Sequence, residues 1–339
     1  MNHRFNRNGP ETRTTIIIPN YNGLSFLGPC LEALKHQTVH DFKVLVVDNG
    51  STDGSVQWLR EQGIPSIFLD HNTGFPGAVN VGIRAADTPY VLLLNNDTAA
   101  EPRFVEFLER AIGRSETIFS VSSRVLQMHR PELLDDAGDM FSVMGWAYQR
   151  GVGREMKRYD RPCRIFSACA AAAIYRREVF EKIGYFDEAH FAYLEDIDIG
   201  YRARLFGYDN VYCPEALVRH VGSGTSGSKY NSFKVRLAAR NQIYLLYKNM
   251  PLWQLMANGP FLAAGIAVKY LFFKKLGFEK EYRQGLFEGL KTAKSLQKTP
   301  VFPGRFKREL TIQMELIAGT VIYIYELSRR KLCQTAGNL

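Results

Sequence analysis

PYVLLLNNDTAAEP, residues 89–102, runs four apolar residues, Val91 to Leu94, straight into Asn95, Asn96 and Asp97. A buried strand that stops on two amides and a carboxylate points to a sheet whose end faces a ligand. In open parallel sheets ligands bind outside the carboxyl ends of the strands. The neighbouring runs are of the same kind. TTIIIP (14–19), KVLVVD (43–48) and SIFLD (66–70) are short and apolar, like YVLLL (90–94). Between them lie GLSFLGPCLEALKHQ (23–37), SVQWLREQG (55–63) and GFPGAVNVGIRAA (74–86). In the first of these, Leu24, Leu27, Leu31 and Leu34 recur at helical spacing. Strands alternating with helices of about 10–15 residues predict βαβ units, an α/β fold with a mostly parallel central sheet and flanking helices.

The chain has 339 residues, 46% hydrophobic and 23% charged. That suffices for one large domain or a domain with an appendage, and disorder is not the default. Five cysteines (Cys30, Cys163, Cys169, Cys213, Cys333) show no Cys-x-x-Cys spacing, which fits a reduced, cytosolic compartment. Residues 1–13 are polar and basic, without the apolar core of a signal peptide, and are expected to be flexible. A P-loop motif is missing, as is Gly-x-Gly-x-x-Gly after the first strand. These gaps argue against a P-loop NTPase and a dinucleotide dehydrogenase.

Four strand ends carry polar groups: PNYN (19–22), DNGSTDGS (48–55), DHNTGFPGAVN (70–80) and NND (95–97). Singly, DNGSTDGS is equally a turn with an Asp/Ser helix cap. Together the four line one sheet edge. The candidate ligand contacts are Pro19, Tyr21 and Asn22; Asp48, Asn49, Ser51 and Asp53; Asn72, Gly77 and Asn80; and Asn95 and Asn96. Asp48 suits a nucleobase imide N–H. Asn49, Ser51 and Asp53 suit ribose or base edges. Gly74 and Gly77 permit close backbone approach to a ligand. Asp97 suits a divalent cation bridging two phosphates, with Asn95 orienting the metal shell or the sugar.

Taken in order, TIIIPNYN, VVDNGSTDGS, NTGFPGAVNVGI, LLLNND and YLEDIDIGYR resemble an inverting family 2 glycosyltransferase of the GT-A fold. The likeness covers roughly residues 14–250 and is greatest to the bacterial rhamnosyltransferase-like branch, which builds cell-envelope polysaccharides. It implies a nucleotide-diphosphate sugar donor and a divalent cation, Mg2+ or Mn2+. NND stands where the family has its Asp-x-Asp metal site, with Asn95 replacing the first Asp.

An inverting transfer needs a base for the acceptor hydroxyl and positive charge on the departing diphosphate. EDID (195–198) is either acidic capping of a helix or the catalytic site. The resemblance maps the base onto Asp196, with Glu195 second and Asp198 a cap or brace. His220 is either structural or the late metal contact of GT-A enzymes, with Ser223, Thr225 and Lys229 near phosphate. Arg240 is either a leaving-group clamp or a helix-surface cation. SACAAAA (167–173) is expected to be a close-packed strand or helix start lining the acceptor side. Trp146 and Tyr148 stack on a sugar or belong to the core.

The domains expected are a GT-A domain over 14–250 and a basic amphipathic helical region over 251–339. Within the first, 14–115 is the nucleotide-sugar half and 116–250 the acceptor half. The net charge is +9, and from residue 251 onward fourteen Lys/Arg face six Asp/Glu, a net of +8. The apolar runs 260–275 and 316–331 are each unbroken for only about 10–13 residues, short of the ~20 that spanning needs. They suit helices lying on an anionic membrane, or packing on the core or on a second copy in a homo-oligomer. Nucleic acid is the weaker partner, since no recognised motif accompanies the charge.

The expected function is transfer of a sugar, dTDP-rhamnose the first donor, to a polyprenyl-diphosphate-linked or growing glycan acceptor. The expected place is the cytoplasmic face of the plasma membrane. The alternative is a catalytically lapsed GT-A scaffold in a membrane synthase complex. A nucleotidyltransferase is disfavoured because PNYNGLS carries no cations.

Overall fold

Thr14–Asn20 forms strand β1, and five of its seven residues are buried in a row. The computed structural model describes residues 12–222 and 230–336. The alternation continues through α1 (Leu24–Lys35), β2 (Phe42–Asp48), α2 (Ser55–Glu61), β3 (Ser66–Phe68), α3 (Gly74–Ala85) and β4 (Tyr90–Leu94). Then come β5 (Thr98–Ala100), α4 (Phe104–Ile112), β6 (Ile118–Gln127), β7 (Arg130–Asp136), β8 (Asp139–Phe141) and β9 (Ala147–Gln149). The first compact unit closes with β10 (Cys163–Ile165), β11 (Ala172–Arg176), α5 (Arg177–Ile183), α6 (Glu195–Leu205) and β12 (Asp209–His220).

The main sheet runs β10-β12-β6-β11-β4-β1-β2-β3. The expected parallel arrangement holds across β4, β1, β2 and β3. Ile16, Ile17 and Ile18 are all fully buried although successive strand residues face opposite ways. Helices therefore cover both faces, and each such side chain contributes about 1.5–3 kcal/mol. The other half is mixed. β11 runs antiparallel to both β4 and β6, while β12 runs parallel to β6. The end of the alanine-rich run, Ala172 and Ala173, thus opens a strand, Ala172–Arg176, between β4 and β6, whose Ile174 and Tyr175 are also buried.

The second compact unit comprises residues 140–148, 204–206 and 230 onward. It holds α7 (Ser232–Asn249), α8 (Leu252–Lys275), α9 (Glu279–Thr292) and α10 (Arg305–Ala336). The sequence boundary at 250/251 therefore moves to 229/230. The reason is packing: Val235 and Ala239 of α7 bury themselves against Tyr282 of α9. In the same unit α8 and α10 are tied by the paired amides Asn258 and Gln313. At 24 and 32 residues these two helices far outrun the apolar runs seen in the sequence. Both are long and apolar enough to cross a membrane by length and composition. Both helices continue through the charges that interrupt the apolar runs of the sequence.

Candidate functional site

The polar strand ends form one hydrogen-bonded chain. Asn96 donates to Asn20 at 2.7 Å, and Asn20 donates to Asp48 at 2.7 Å. The backbone N–H of Ser51 donates to the other Asp48 oxygen at 2.9 Å. Asn20, Asp48 and Asn96 are all buried. A Cβ at Gly23 would lie 2.1 Å from Asn96 Nδ2, so only glycine lets α1 begin beside this chain. Buried polar groups must be paired, and here β1, β2 and β4 satisfy one another. Asn20, the centre of the chain, was missed in the sequence.

Several residues assigned to the ligand are occupied by the protein. Asn49 accepts from the backbone and hydroxyl of Thr73 and donates to Asn72 and the Gly74 carbonyl. Asn72 also accepts the Gly74 N–H. Asn80 is buried and holds the Phe186 backbone at both its N–H and its carbonyl. At Gly77 a Cβ would lie 2.4 Å from Thr73 Oγ1, so the missing side chain serves the first turn of its own helix. Gly74, at φ +79°, admits the Phe191 backbone, whose carbonyl accepts from Phe75 N–H at 2.7 Å. The exposed or half-exposed rim is Pro19, Tyr21, Asn22, Ser51, Asp53, Asn72 and Asn95. Even there Asp53 braces two helix starts, accepting from Leu24 N–H and from Ser55.

Asp97 and His220 meet. The antiparallel β5–β12 pair sets His220 opposite Thr98, and His220 Nε2 lies 3.1 Å from Asp97 Oδ1. The other ring nitrogen, Nδ1, lies 2.8 Å from Asp135 Oδ2. Burial works against the charged ring, but its bonds to Asp135 and Asp97 outweigh that and push its pKa up to about 10. An imidazole nitrogen and a carboxylate oxygen facing each other, with the second nitrogen fixed by another carboxylate, fit a divalent cation held by Asp97 and His220. Removing such an orienting carboxylate typically costs 10–100-fold in metal affinity. Asp135→Asn is therefore expected to weaken intrinsic Mn2+ binding, corrected for the proton released from His220, about 10–100-fold by calorimetry without unfolding the protein.

The EDID segment separates into three roles. Asp198 is fully buried and paired with Arg202 at 2.8 Å, the brace expected of it. Glu195 is buried, and its Oε2 meets no donor. Burial, then the charge of Asp196, raises its pKa to about 8. Asp196 alone of the three retains partial exposure. Its Oδ1 accepts the Ile197 N–H at 2.8 Å, and Ser167 Oγ holds its carbonyl. The loop before it contains Phe191, Tyr193 and Leu194 at φ between +60° and +72°. Such strain in bulky residues persists only where surrounding structure holds it, and it clusters at functional sites.

A turn unremarked in the sequence, DDAGD (135–139), joins these two centres. Asp135, at the end of β7, touches His220, and Asp136 beside it is fully buried near Asp139 and Cys169. Asp139 in turn exchanges backbone hydrogen bonds with Ser167, whose hydroxyl donates to the Asp196 carbonyl. The signal available was three acids about one glycine.

The remaining candidates lie in the helical unit. Arg240 pairs with Glu288 and sits over the Tyr244 ring. Trp146 and Tyr148 are core aromatics there, both packed on Tyr323, and they bond the Gly265 and Gly319 carbonyls. Ser223, Thr225 and Lys229 lie outside the described residues.

The chain matches the family model "Glycosyl transferase family 2" over residues 15–184. It is 32% identical over 130 residues to a teichoic acid poly(glycerol phosphate) polymerase of Staphylococcus epidermidis, covering 36% of this chain but only 18% of that one. It is 29% identical to the N-acetylglucosaminyl-diphospho-decaprenol L-rhamnosyltransferase of Mycobacterium tuberculosis, over 67% of this chain and 83% of the relative. Among solved structures, GalNAc-T7 with UDP, GalNAc and Mn2+ aligns with TM-score 0.59 at 14% identity, over 85% of this chain and 58% of that one. That last likeness is one of fold.

Proposed function

The chain belongs to glycosyl transferase family 2, and from that premise we propose that it moves a sugar, with inversion, from a nucleotide-diphosphate donor to a lipid-linked or growing cell-envelope glycan. The observation that carries this is the continuity from cation site to base. Asp135 holds His220 beside Asp97, while its neighbour Asp136 lies near Asp139, which pairs through its backbone with Ser167, whose hydroxyl holds the Asp196 carbonyl. Asp97 and His220 would hold a divalent cation, Mg2+ or Mn2+, which would supply positive charge for the diphosphate leaving group. The rim residues Tyr21, Asn22, Ser51 and Asn95 face the nucleotide and sugar. Asp196 takes the proton of the acceptor hydroxyl as its oxygen bonds to the anomeric carbon and the bond to the diphosphate breaks. Rhamnose as the sugar and a polyprenyl-diphosphate acceptor draw support from the mycobacterial relative's name, and the cation from the Mn2+ in GalNAc-T7; dTDP is the carrier we propose with them.

The helical unit suits an anionic membrane at the cytoplasmic face. α10 exposes Phe306, Leu310, Met314, Ile317, Val321 and Ile324 at 3–4 spacing. α8 exposes Leu252, Met256, Phe261, Val268 and Leu271. Apolar stripes beside Lys274, Lys275, Lys307 and Arg308 match a surface of lipid tails under anionic headgroups. Asn95 at the first position of the metal motif favours a second reading, a lapsed nucleotide-binding scaffold in a membrane complex.

Titration calorimetry with dTDP, UDP and GDP, each with Mn2+ and then with EDTA, separates the readings. Binding of one nucleotide, lost in EDTA, is expected and selects the donor. A folded protein that binds none of the three would overturn the transferase reading.

A further inference from the structure

Gln242 of α7 is 1% exposed, and its Nε2 meets no acceptor. Its Oε1 faces Lys269 of α8, whose Nζ donates to it at 3.4 Å. That bond fixes the amide's orientation, since an N–H group turned toward an ammonium would be repelled. Lys269 Nζ also lies over the Trp146 ring, 5.9 Å from its centre. Among the described residues Lys269 pairs with no carboxylate. A cation and an amide N–H group thus share one place in the helical unit, and among the described residues no anion answers either. Half-buried or buried donors of this kind are costly until something accepts from them.

Two glycines shape the place. Gly145, at φ +69°, keeps space beside the amide, where a Cβ would lie 3.1 Å from Gln242 Nε2. Gly265 lets Trp146 approach α8, and the indole N–H is spent on the Gly265 carbonyl at 3.2 Å. The indole therefore contributes a wall and no free donor. Tyr323 of α10 packs edge-on against it at 5.5 Å.

We propose that Lys269 and Gln242 Nε2 bind the phosphate group of a lipid. This rests on the reading that the helical unit meets an anionic bilayer. A phosphate supplies what both groups lack, negative charge and several strong acceptor oxygens. Lysine holds one oxygen as a point charge, and the amide N–H takes a second. The position on α8 argues for a lipid over a soluble phosphate. Lys269 stands between exposed Val268 and exposed Leu271, little more than a turn before exposed Lys274 and Lys275. There an apolar face gives way to cations, as it must where lipid tails give way to headgroup phosphates.

Cosedimentation of the full chain with vesicles tests the site and the membrane reading separately. Phosphatidylcholine vesicles carrying phosphatidic acid are expected to bind it, and more tightly than vesicles carrying oleate to the same surface charge. No binding to either charged vesicle would overturn the membrane reading and the site with it. Gln242→Leu leaves the charge unchanged. It is expected to lower affinity for phosphatidic-acid vesicles about tenfold, the size of one hydrogen bond to a charged group. Its Tm should hold or rise, because an unanswered buried amide is removed. Lys269→Met should cost more than the about fivefold that one surface lysine contributes, whereas exposed Lys274→Gln should cost no more than that. The site fails, with the membrane reading intact, if folded Gln242→Leu and Lys269→Met bind vesicles no worse than Lys274→Gln. It fails equally if phosphatidic acid and oleate bind alike at matched charge. Calorimetry with inorganic phosphate is the last arm and is expected to show no comparable binding. Gln242-dependent binding of inorganic phosphate as tight as that of the vesicles would overturn the lipid assignment in favour of a soluble phosphate.

Discussion

Asp196→Asn is expected to cut turnover about 10³–10⁴-fold, the upper range for loss of a positioned general base, while nucleotide affinity stays at the wild-type value. The amide has the carboxylate's shape and still accepts the Ile197 N–H, so folding is preserved. It cannot take a proton from the acceptor hydroxyl. Glu195→Gln should do much less. Burial already keeps that side chain protonated up to about pH 8, and it is shielded from solvent. The pH dependence carries the same assignment. Burial raises the Asp196 pKa, partly offset by the Ile197 N–H. A base works only when ionised, so the rate should climb with pH through that raised pKa, and the acid limb should lie above the ordinary carboxylate range near 4. The check is steady-state turnover across pH, with circular dichroism and nucleotide titration as folding controls. A folded Asp196→Asn enzyme with undiminished turnover would remove Asp196 from the reaction.

The nucleotide half was legible because two signals coincide there: β-branched runs too short for helices, and polar residues where each run stops. Asp97 and His220 were readable as candidates from residue type. What joins them, the β5–β12 pair across more than a hundred residues of chain, carries no local signal. Asn49, Asn72 and Asn80 were given to the ligand because an amide at a strand end looks the same in sequence whether it bonds a sugar or a neighbouring backbone. In the structure they hold Thr73, Gly74 and Phe186. Asp135, Asp136 and Asp139 escaped notice for the opposite reason. RPELLDD lacks the alternation of a half-buried strand, and its pairing with β6 is broken by register irregularities. In a segment without periodicity, acids look like solvated surface. The helical unit begins at residue 230 because α7 buries Val235 and Ala239 against Tyr282 of α9 and Ile266, Tyr270 and Phe273 of α8, a match that no local pattern in α7 announces.

Asp97→Ala is expected to abolish the Mn2+-dependent part of nucleotide binding and to lower kcat/KM about 10³-fold, the size of a lost Lewis-acid contribution of several kcal/mol. The loss follows from the geometry. Among the described residues, Asp97 supplies the carboxylate oxygen 3.1 Å from His220 Nε2. Without it the imidazole keeps, among the described residues, Asp135 on the far side of the ring. Adding EDTA to the wild type should reproduce the variant's nucleotide affinity, and adding Mn2+ to the variant should not restore it. Proton linkage gives an independent readout. Without metal, the two carboxylates keep His220 charged up to about pH 10, so a cation at Nε2 must displace a proton. Apparent Mn2+ affinity should therefore rise about tenfold per pH unit across the neutral range, and calorimetry in buffers of different ionisation enthalpy should show about one proton released per ion. Asp135→Asn should lower the His220 pKa and, once the displaced proton is allowed for, the intrinsic metal affinity together, because one carboxylate both stabilises the charged ring and orients it. If Asp97→Ala retains tight, EDTA-sensitive nucleotide binding, the cation lies elsewhere and the Asp97–His220 contact is an ordinary buried ion pair.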